Sequence, residues 1–498
     1  MSLTGIRESN LFAKRYRGWQ TRLLVVASFW GGACLSVSAQ QSAAIPNLPL
    51  PQHSLRSDLA SPESRPAPAR PERSDFQPDP QGWRSGSEFP IPGQPARDLL
   101  PPDEFVPEED PGLFRRLPHS FRDGAISIEY VYTGETFTKA TGGLNRNHIT
   151  NYRSNLDIVA LVDTEGMGWW NGGRFFIYGE SLAGRPISTT DVGDYQLFSN
   201  IDSTISDTER PSFTAIAEYW YEHYLLDGDL RFKIGKQDAN ADFAYTDLGG
   251  DFVHSSFGLV PNCPMPTFPS QTLGVATFAA LTDTFNVGLG VYDGTLSDGP
   301  TGVRWGFDTL GHNAAMSLFQ LEWMPQFGSE GELPNTTRFG MWHHSAKDVW
   351  TEIVDTNPRT FNQNYGLWFI VDQMLWKENG AADAQGLGVF FQYGWAPRNR
   401  NELSEYYGAG LVYKGLLPSR DDDLLGIGVA NALFSPDFRS VSIAAGDQLG
   451  PSETAIEVFY KYYCSPFFVL QPDVQFIANP SGLYQDALLP GLRFEILL

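Results

Sequence analysis

The chain has 498 residues, with 35 Lys and Arg against 58 Asp and Glu, a formal net charge of −23 and a pI of about 4.7. Such a length suits several ordinary domains or one large barrel, and the acidity argues against a nucleic-acid partner, because phosphate backbones call for clustered Lys and Arg. Hydrophobic residues make up 42% and aromatics 13% of the chain, yet mean hydropathy is −0.26, so apolar residues are interleaved with polar ones and a helical membrane protein is excluded.

In chain order, the first feature is the nearly apolar stretch from Leu23 to Leu35, shorter than the roughly 20 residues a membrane-spanning helix needs. It follows Arg15, Arg17 and Arg22 and leads into Val37-Ser38-Ala39, the basic, apolar and small-residue order of a secretory signal. Residues 1–39 are expected to be a signal peptide cleaved after Ala39. A lipoprotein reading around Gly31-Gly32-Ala33-Cys34 lacks the aliphatic residue three before the cysteine. With Cys34 gone, Cys263 and Cys464 permit one disulfide or none. No zinc-type spacing is present, and no metal or cofactor is expected.

Roughly half of the 35 prolines fall between Pro46 and Pro118, among Ser, Arg, Gln and Asp and without a sustained hydrophobic period. Such a stretch cannot bury enough to order itself. Residues 40–120 are therefore expected to be a disordered, proline-rich periplasmic linker, leaving residues 121–498 as the folded domain.

From about Gly124 onward aromatic and β-branched residues alternate with polar ones, broken by Gly, Asn, Asp and Pro clusters, which is the strand pattern. In the run from Arg174 to Glu180, Arg174, Phe176, Tyr178 and Glu180 share one face, and Phe175, Ile177 and Gly179 the other. Leu230, Phe232 and Ile234 oppose Arg231 and Lys233 in the same way, and the run from Leu492 to Leu498 repeats the arrangement. Charge on one face and a wholly apolar face opposite predict an apolar outside and a wet inside, an all-β antiparallel barrel in the outer membrane. About 375 residues at about 23 per strand with its connection give about 16 strands, a size that leaves an aqueous channel.

Several blocks carry a family resemblance: Asn171-Gly172-Gly173-Arg174-Phe175, the run from Ile234 to Phe243, Ser255-Ser256-Phe257-Gly258, the run from Gly410 to Leu416, Glu457-Val458-Phe459-Tyr460-Lys461 and Gln471-Pro472-Asp473-Val474-Gln475-Phe476. Together they resemble the carbohydrate-selective porin family of the OprB type over most of residues 124–498. The resemblance implies a 16-stranded outer-membrane barrel that passes sugars, mono- and small oligosaccharides, by diffusion. The proline-rich leader and the terminal Leu498 depart from that pattern.

A pyranose offers apolar ring faces and a belt of hydroxyls, so a channel that favours it supplies aromatic faces and charged or amide groups. Arg174, Phe176, Tyr178, Glu180, Glu218, Trp220, Arg231 and Lys233 are the substrate-binding candidates of the lumen, joined on the Glu218 face by Glu222 and Tyr224. The bland alternative makes each of them lumen wall, and places Trp169, Trp170 and Trp220 in an interfacial girdle. Lys236, Asp238 and Asp242, with Asn240, precede Pro261, Pro264, Pro266 and Pro269, and form either a constriction element folded into the barrel or an external loop. Asp421-Asp422-Asp423 reads as a solvated turn rather than a cation site.

An exported enzyme is the rival class. Glu218 and Glu222 on one strand would stand about 13 Å apart, beyond glycosidase carboxylate spacing. His254-Ser255-Ser256, taken as strand residues, would point to opposite faces, and no nucleophile elbow accompanies them. Gly288-Leu289-Gly290 reads as a strand turn, since no helix follows it. An envelope-anchoring barrel that uses its leader on peptidoglycan is the other alternative. The expected partners are carbohydrate and outer-membrane lipid, with a homo-oligomer and a peptidoglycan contact left open.

Overall fold

Wherever the period-two pattern runs unbroken, the chain forms a strand, because only a pleated backbone sends alternate side chains to opposite media. The computed structural model describes residues 121–123, 125–201, 212–294, 305–307, 309–310, 314–329, 331–346, 349–380 and 383–497. The expected signal peptide and leader lie outside the described residues. The long strands are β1 (Ile126–Lys139), β2 (Ile149–Asp163), β3 (Gly173–Gly184), β4 (Ser212–Leu225), β5 (Leu230–Gln237), β6 (Thr272–Thr282), β7 (Phe285–Asp293) and β8 (Ala315–Trp323). They continue as β9 (Leu333–His344), β10 (Asn364–Lys377), β11 (Gly386–Trp395), β12 (Leu403–Lys414), β13 (Leu424–Phe434), β14 (Ser452–Ser465), β15 (Phe468–Ala478) and β16 (Gln485–Leu497).

Each strand pairs antiparallel with the next, and β1 pairs with both β2 and β16, so the sheet closes into a barrel of 16 strands. Closure removes the free edges that an open sheet would present to lipid. Short turns such as residues 283–284 and 466–467 gather at one end, and long connections such as 238–271 and 435–451 at the other. In outer-membrane barrels the short turns are periplasmic and the long connections extracellular, so β1 starts at the periplasmic end.

The outside carries Ile177, Ile234, Met341, Leu411, Ile427 and Val474, each more than 40% exposed. The inside holds the core. Trp342 and Trp368 are buried there, each lying across a glycine of the neighbouring strand, Gly366 and Gly340 respectively; a Cβ on Gly340 would stand 2.0 Å from the Trp368 ring. Gly288-Leu289-Gly290 lies inside β7 rather than in a turn: the two glycines leave room for Phe243, which packs against them from a connection folded into the lumen. The connection 435–451 contains a helix, α1 (Pro436–Ala445), started by the Ser435 side chain accepting from the Phe438 N–H and stopped at Gly446 with φ 104°.

Candidate functional site

The connection from β5 to β6, residues 238–271, folds into the barrel and touches the far wall. Its backbone and side chains are held by carboxylates of the wall. Glu218 of β4 accepts from the Asp238 N–H at 3.0 Å, Asp372 of β10 from the Leu248 N–H and the Thr246 hydroxyl, and Glu457 of β14 from the N–H groups of Val253 and His254 at 2.7 and 2.9 Å. Charge-assisted bonds of this kind are roughly twice as strong as neutral ones. Asp238 ties the segment's start to its end, accepting from the N–H groups of Asn240 and Phe268. Phe252 and Phe257 pack 4.4 Å apart against Phe390, and Phe252 also meets Phe459.

The described part of the β3–β4 connection, residues 185–201, also turns inward, which the alternation does not reveal. Glu453 of β14 accepts from the N–H groups of Tyr195 and Gln196, the Ser199 hydroxyl donates to Glu135 of β1, and Arg493 of β16 donates to Asn200 and Glu135. The two connections join directly, Ser255 N–H to the Leu197 carbonyl and Asn200 N–H to the Val253 carbonyl.

The lumen candidates stand on the inner face in the order the alternation predicts. Arg174 pairs with Glu222 at 3.4 Å, Glu222 with Arg231 at 3.6 Å, and Arg231 and Lys233 both bind Asp242 of the inward segment, at 2.5 and 2.6 Å. Burial opposes the charge on Asp242, but Arg231 and Lys233 overcome it and hold its carboxyl well below the usual range. The Phe176 and Trp220 rings stack at 4.5 Å, Lys233 lies 4.5 Å over the Trp220 ring, and the Tyr178 hydroxyl donates to Asp157, the register neighbour of Glu180. Among these eight candidates only Arg174 escapes burial, with 14% of its side chain exposed.

Three expectations are corrected. Trp220 belongs to the inner stack and not to a girdle, whereas Trp169 and Trp170, 55% and 44% exposed in a periplasmic turn, fit one. Lys236 does not point with the constriction residues: it sits directly opposite Tyr219 and Leu273, residues of the outward register. Asp423 of the presumed solvated turn is buried and accepts from Arg420 and the Tyr460 hydroxyl. His254, Ser255 and Ser256 lie in a short turn of the inward segment, where His254 Nδ1 accepts from the Ser256 N–H. Burial lowers the His254 pKa to about 3, so its ring is neutral. Cys263 is buried, Cys464 is exposed, and both are free.

One residue that clamps the inward segment to the wall was not singled out from sequence. Arg338 of β9 binds Glu322 of β8, Asp372 of β10 and Asp247 of the segment, each at 2.9 Å, and lies 3.8 Å over the ring of Tyr245. Tyr245 is half-buried, with its phenol pushed up by burial and so a neutral donor. The inward alternation around Arg338 was legible; that three acids from three elements meet it was not.

A closed barrel with an apolar exterior, a charged interior and an inward connection is a porin, a channel of the outer membrane. Over residues 148–498 the chain belongs to the carbohydrate-selective porin, OprB family, and it is an outer-membrane carbohydrate channel. It is 24% identical over 400 residues to Porin B of Pseudomonas aeruginosa, covering 74% of this chain and 86% of that protein. The putative porin QuiX of Acinetobacter baylyi is 22% identical over 406 residues, covering 74% of this chain and 89% of its own. The high-pH structure of Pseudomonas putida OprB superposes with a TM-score of 0.67 at 22% identity, covering 75% of this chain and 94% of that one, and shares the fold. Family and fold imply a channel rather than an enzyme.

Proposed function

We propose that the channel passes mono- and small oligosaccharides by passive diffusion, through the space that the wall leaves beside the inward segments 185–201 and 238–271. The observation that carries this reading is the lumen's combination of ion pairs with aromatic faces, namely the Arg174–Glu222–Arg231–Asp242–Lys233 series beside the Phe176–Trp220 stack and the Arg338–Tyr245 pair. Opposed fixed charges order water and disfavour small ions, while a half-buried aromatic ring and a neutral phenol suit a sugar ring and its hydroxyls. Arg174 and Tyr245, the members with exposed surface, are the first candidates for sugar contact. Charge-assisted bonds from Arg174 to sugar hydroxyls contribute a few-fold in affinity, since lost hydration offsets most of their strength.

Two further readings belong to the proposal. Barrels associate as homo-oligomers, and because β1 begins at the periplasmic end, a proline-rich linker over residues 40–120 would be on the side of peptidoglycan and available to meet it. The test of the channel is single-channel conductance of the purified protein in a planar bilayer, titrated with neutral sugars. Sugar-dependent block at millimolar concentrations supports the reading. Ionic conductance indifferent to every sugar tested would sink it.

A further inference from the structure

The β7–β8 connection places residues on the outside of the barrel. The Tyr219 hydroxyl of β4 donates to the Trp305 carbonyl, the Tyr219 ring stacks on Phe307 at 6.4 Å, and Gly306 rests on Leu273 of β6, so closely that a Cβ there would come within 2.9 Å of that side chain. Tyr219 and Leu273 are the two cross-strand partners of Lys236. Directly opposed residues share a face, and this face is the lipid-facing one: Ile177, opposite Tyr219, and Ile234, two residues before Lys236, are 54% and 44% exposed. Lys236 is nevertheless buried at 2% exposure, its Nζ donating to the Ile216 carbonyl at 2.9 Å beside the irregular pairing between β3 and β4. A cation on a lipid-facing wall is costly unless it is covered, and Trp305, Gly306 and Phe307 touch the residues on both of its sides.

Large apolar side chains of this stretch stay exposed. Trp305 is 50% exposed, Phe307 65% and Leu310 52%. We propose that Trp305, Gly306, Phe307 and Leu310 form an outer-leaflet anchor: part of an extracellular connection laid on the lipid-facing wall, seating its large side chains among acyl chains and screening Lys236 beneath. The occupant follows from continuity with the lipid-facing belt, since Ile177, Tyr219 and Leu273 already meet lipid at that place.

The test uses the full-length protein in lipid vesicles, with Cys464→Ser as background and a nitroxide attached at Phe307→Cys, read as the difference from the same background without the added cysteine. Ile177→Cys on the wall and Asp355→Cys, at an exposed position of the β9–β10 connection, serve as references. Expected is a collision rate with oxygen several-fold above that with a water-soluble nickel complex, matching position 177. A rate dominated by nickel, matching position 355, overturns the proposal. So does shielding from both reagents with spin–spin broadening that vanishes on dilution with unlabelled protein, because a second copy would then cover the patch. Leu310→Cys provides the same readout if the first variant does not insert.

Discussion

Arg338 faces three carboxylates from three different elements while stacked on Tyr245, and its own side chain is only 1% exposed. Removing one partner of a buried ion pair leaves uncompensated charge and typically costs about 3–5 kcal/mol. Arg338→Met is therefore expected to lower resistance to denaturant by about that amount and to raise conductance as the 238–271 segment loosens. Arg338→Lys should fall between, because an ammonium cannot serve three acids in the fixed planar fork of a guanidinium. Unchanged conductance and unfolding midpoint in Arg338→Met would show that the hub does not hold the segment. Asp242 makes a pH prediction of definite sign. Its carboxyl is held below the usual range, so its contribution is fully present above the unfolded value of about 4 and is lost only as pH falls through the lower folded value. Asp242 is therefore expected to add no pH dependence of its own to the conductance between pH 8 and about pH 4, which comparing the wild type with Asp242→Asn over that range checks. In Asp242→Asn the contribution is absent at every pH, and single-channel recordings should be noisier throughout.

Strand β3 shows how an element sorts its residues between two media. Arg174 faces the inside and pairs with Glu222, whereas Phe175 and Ile177 are 39% and 54% exposed on the outside. A cysteine in place of Arg174 is expected to react with water-soluble thiol reagents and block current, while one in place of Ile177 should not. The reverse would place the register one residue off. Arg174→Ala should weaken sugar block several-fold if Arg174 touches the sugar, and leave it unchanged if Arg174 is only wall. Helix α1 carries its own local signals, with Ser435 at the cap, Pro436 at its first turn and Gly446 at its end, which the period-two alternation of the strands does not reveal. The irregular pairing of β4 with β3 around Ala217 had no sequence signal, because a bulge depends on what the neighbouring strand does.

For the whole molecule, the two inward connections make a wide barrel a selective one. Replacing residues 239–270 by a short turn is expected to raise conductance several-fold and abolish sugar block while leaving the barrel assembled, since the wall's ladder is complete without the segment. A barrel that fails to assemble under that change would make the segment part of the fold's foundation instead. Deleting residues 40–120 is expected to leave conductance and sugar block intact, measured in the same bilayers.

Sequence by itself determined the all-β barrel, its strand number and the inward direction of Arg174 to Glu180 on β3, of Glu218 to Tyr224 on β4 and of Arg231 and Lys233 on β5, because period-two alternation between lipid and water is a local constraint that each regular stretch of strand meets alone. Lys236 escaped that rule because its place where β5 gives way to the connection grouped it with Asp238 and Asp242, whereas its register with Tyr219 and Leu273 keeps it on the strand's other face. Only the tertiary structure decided that 185–201 and 238–271 fold inward, and that Arg338 gathers Glu322, Asp372 and Asp247. These contacts join residues far apart in the chain, and which carboxylate of the wall meets which N–H depends on closing the barrel first, a geometry that no local pattern encodes.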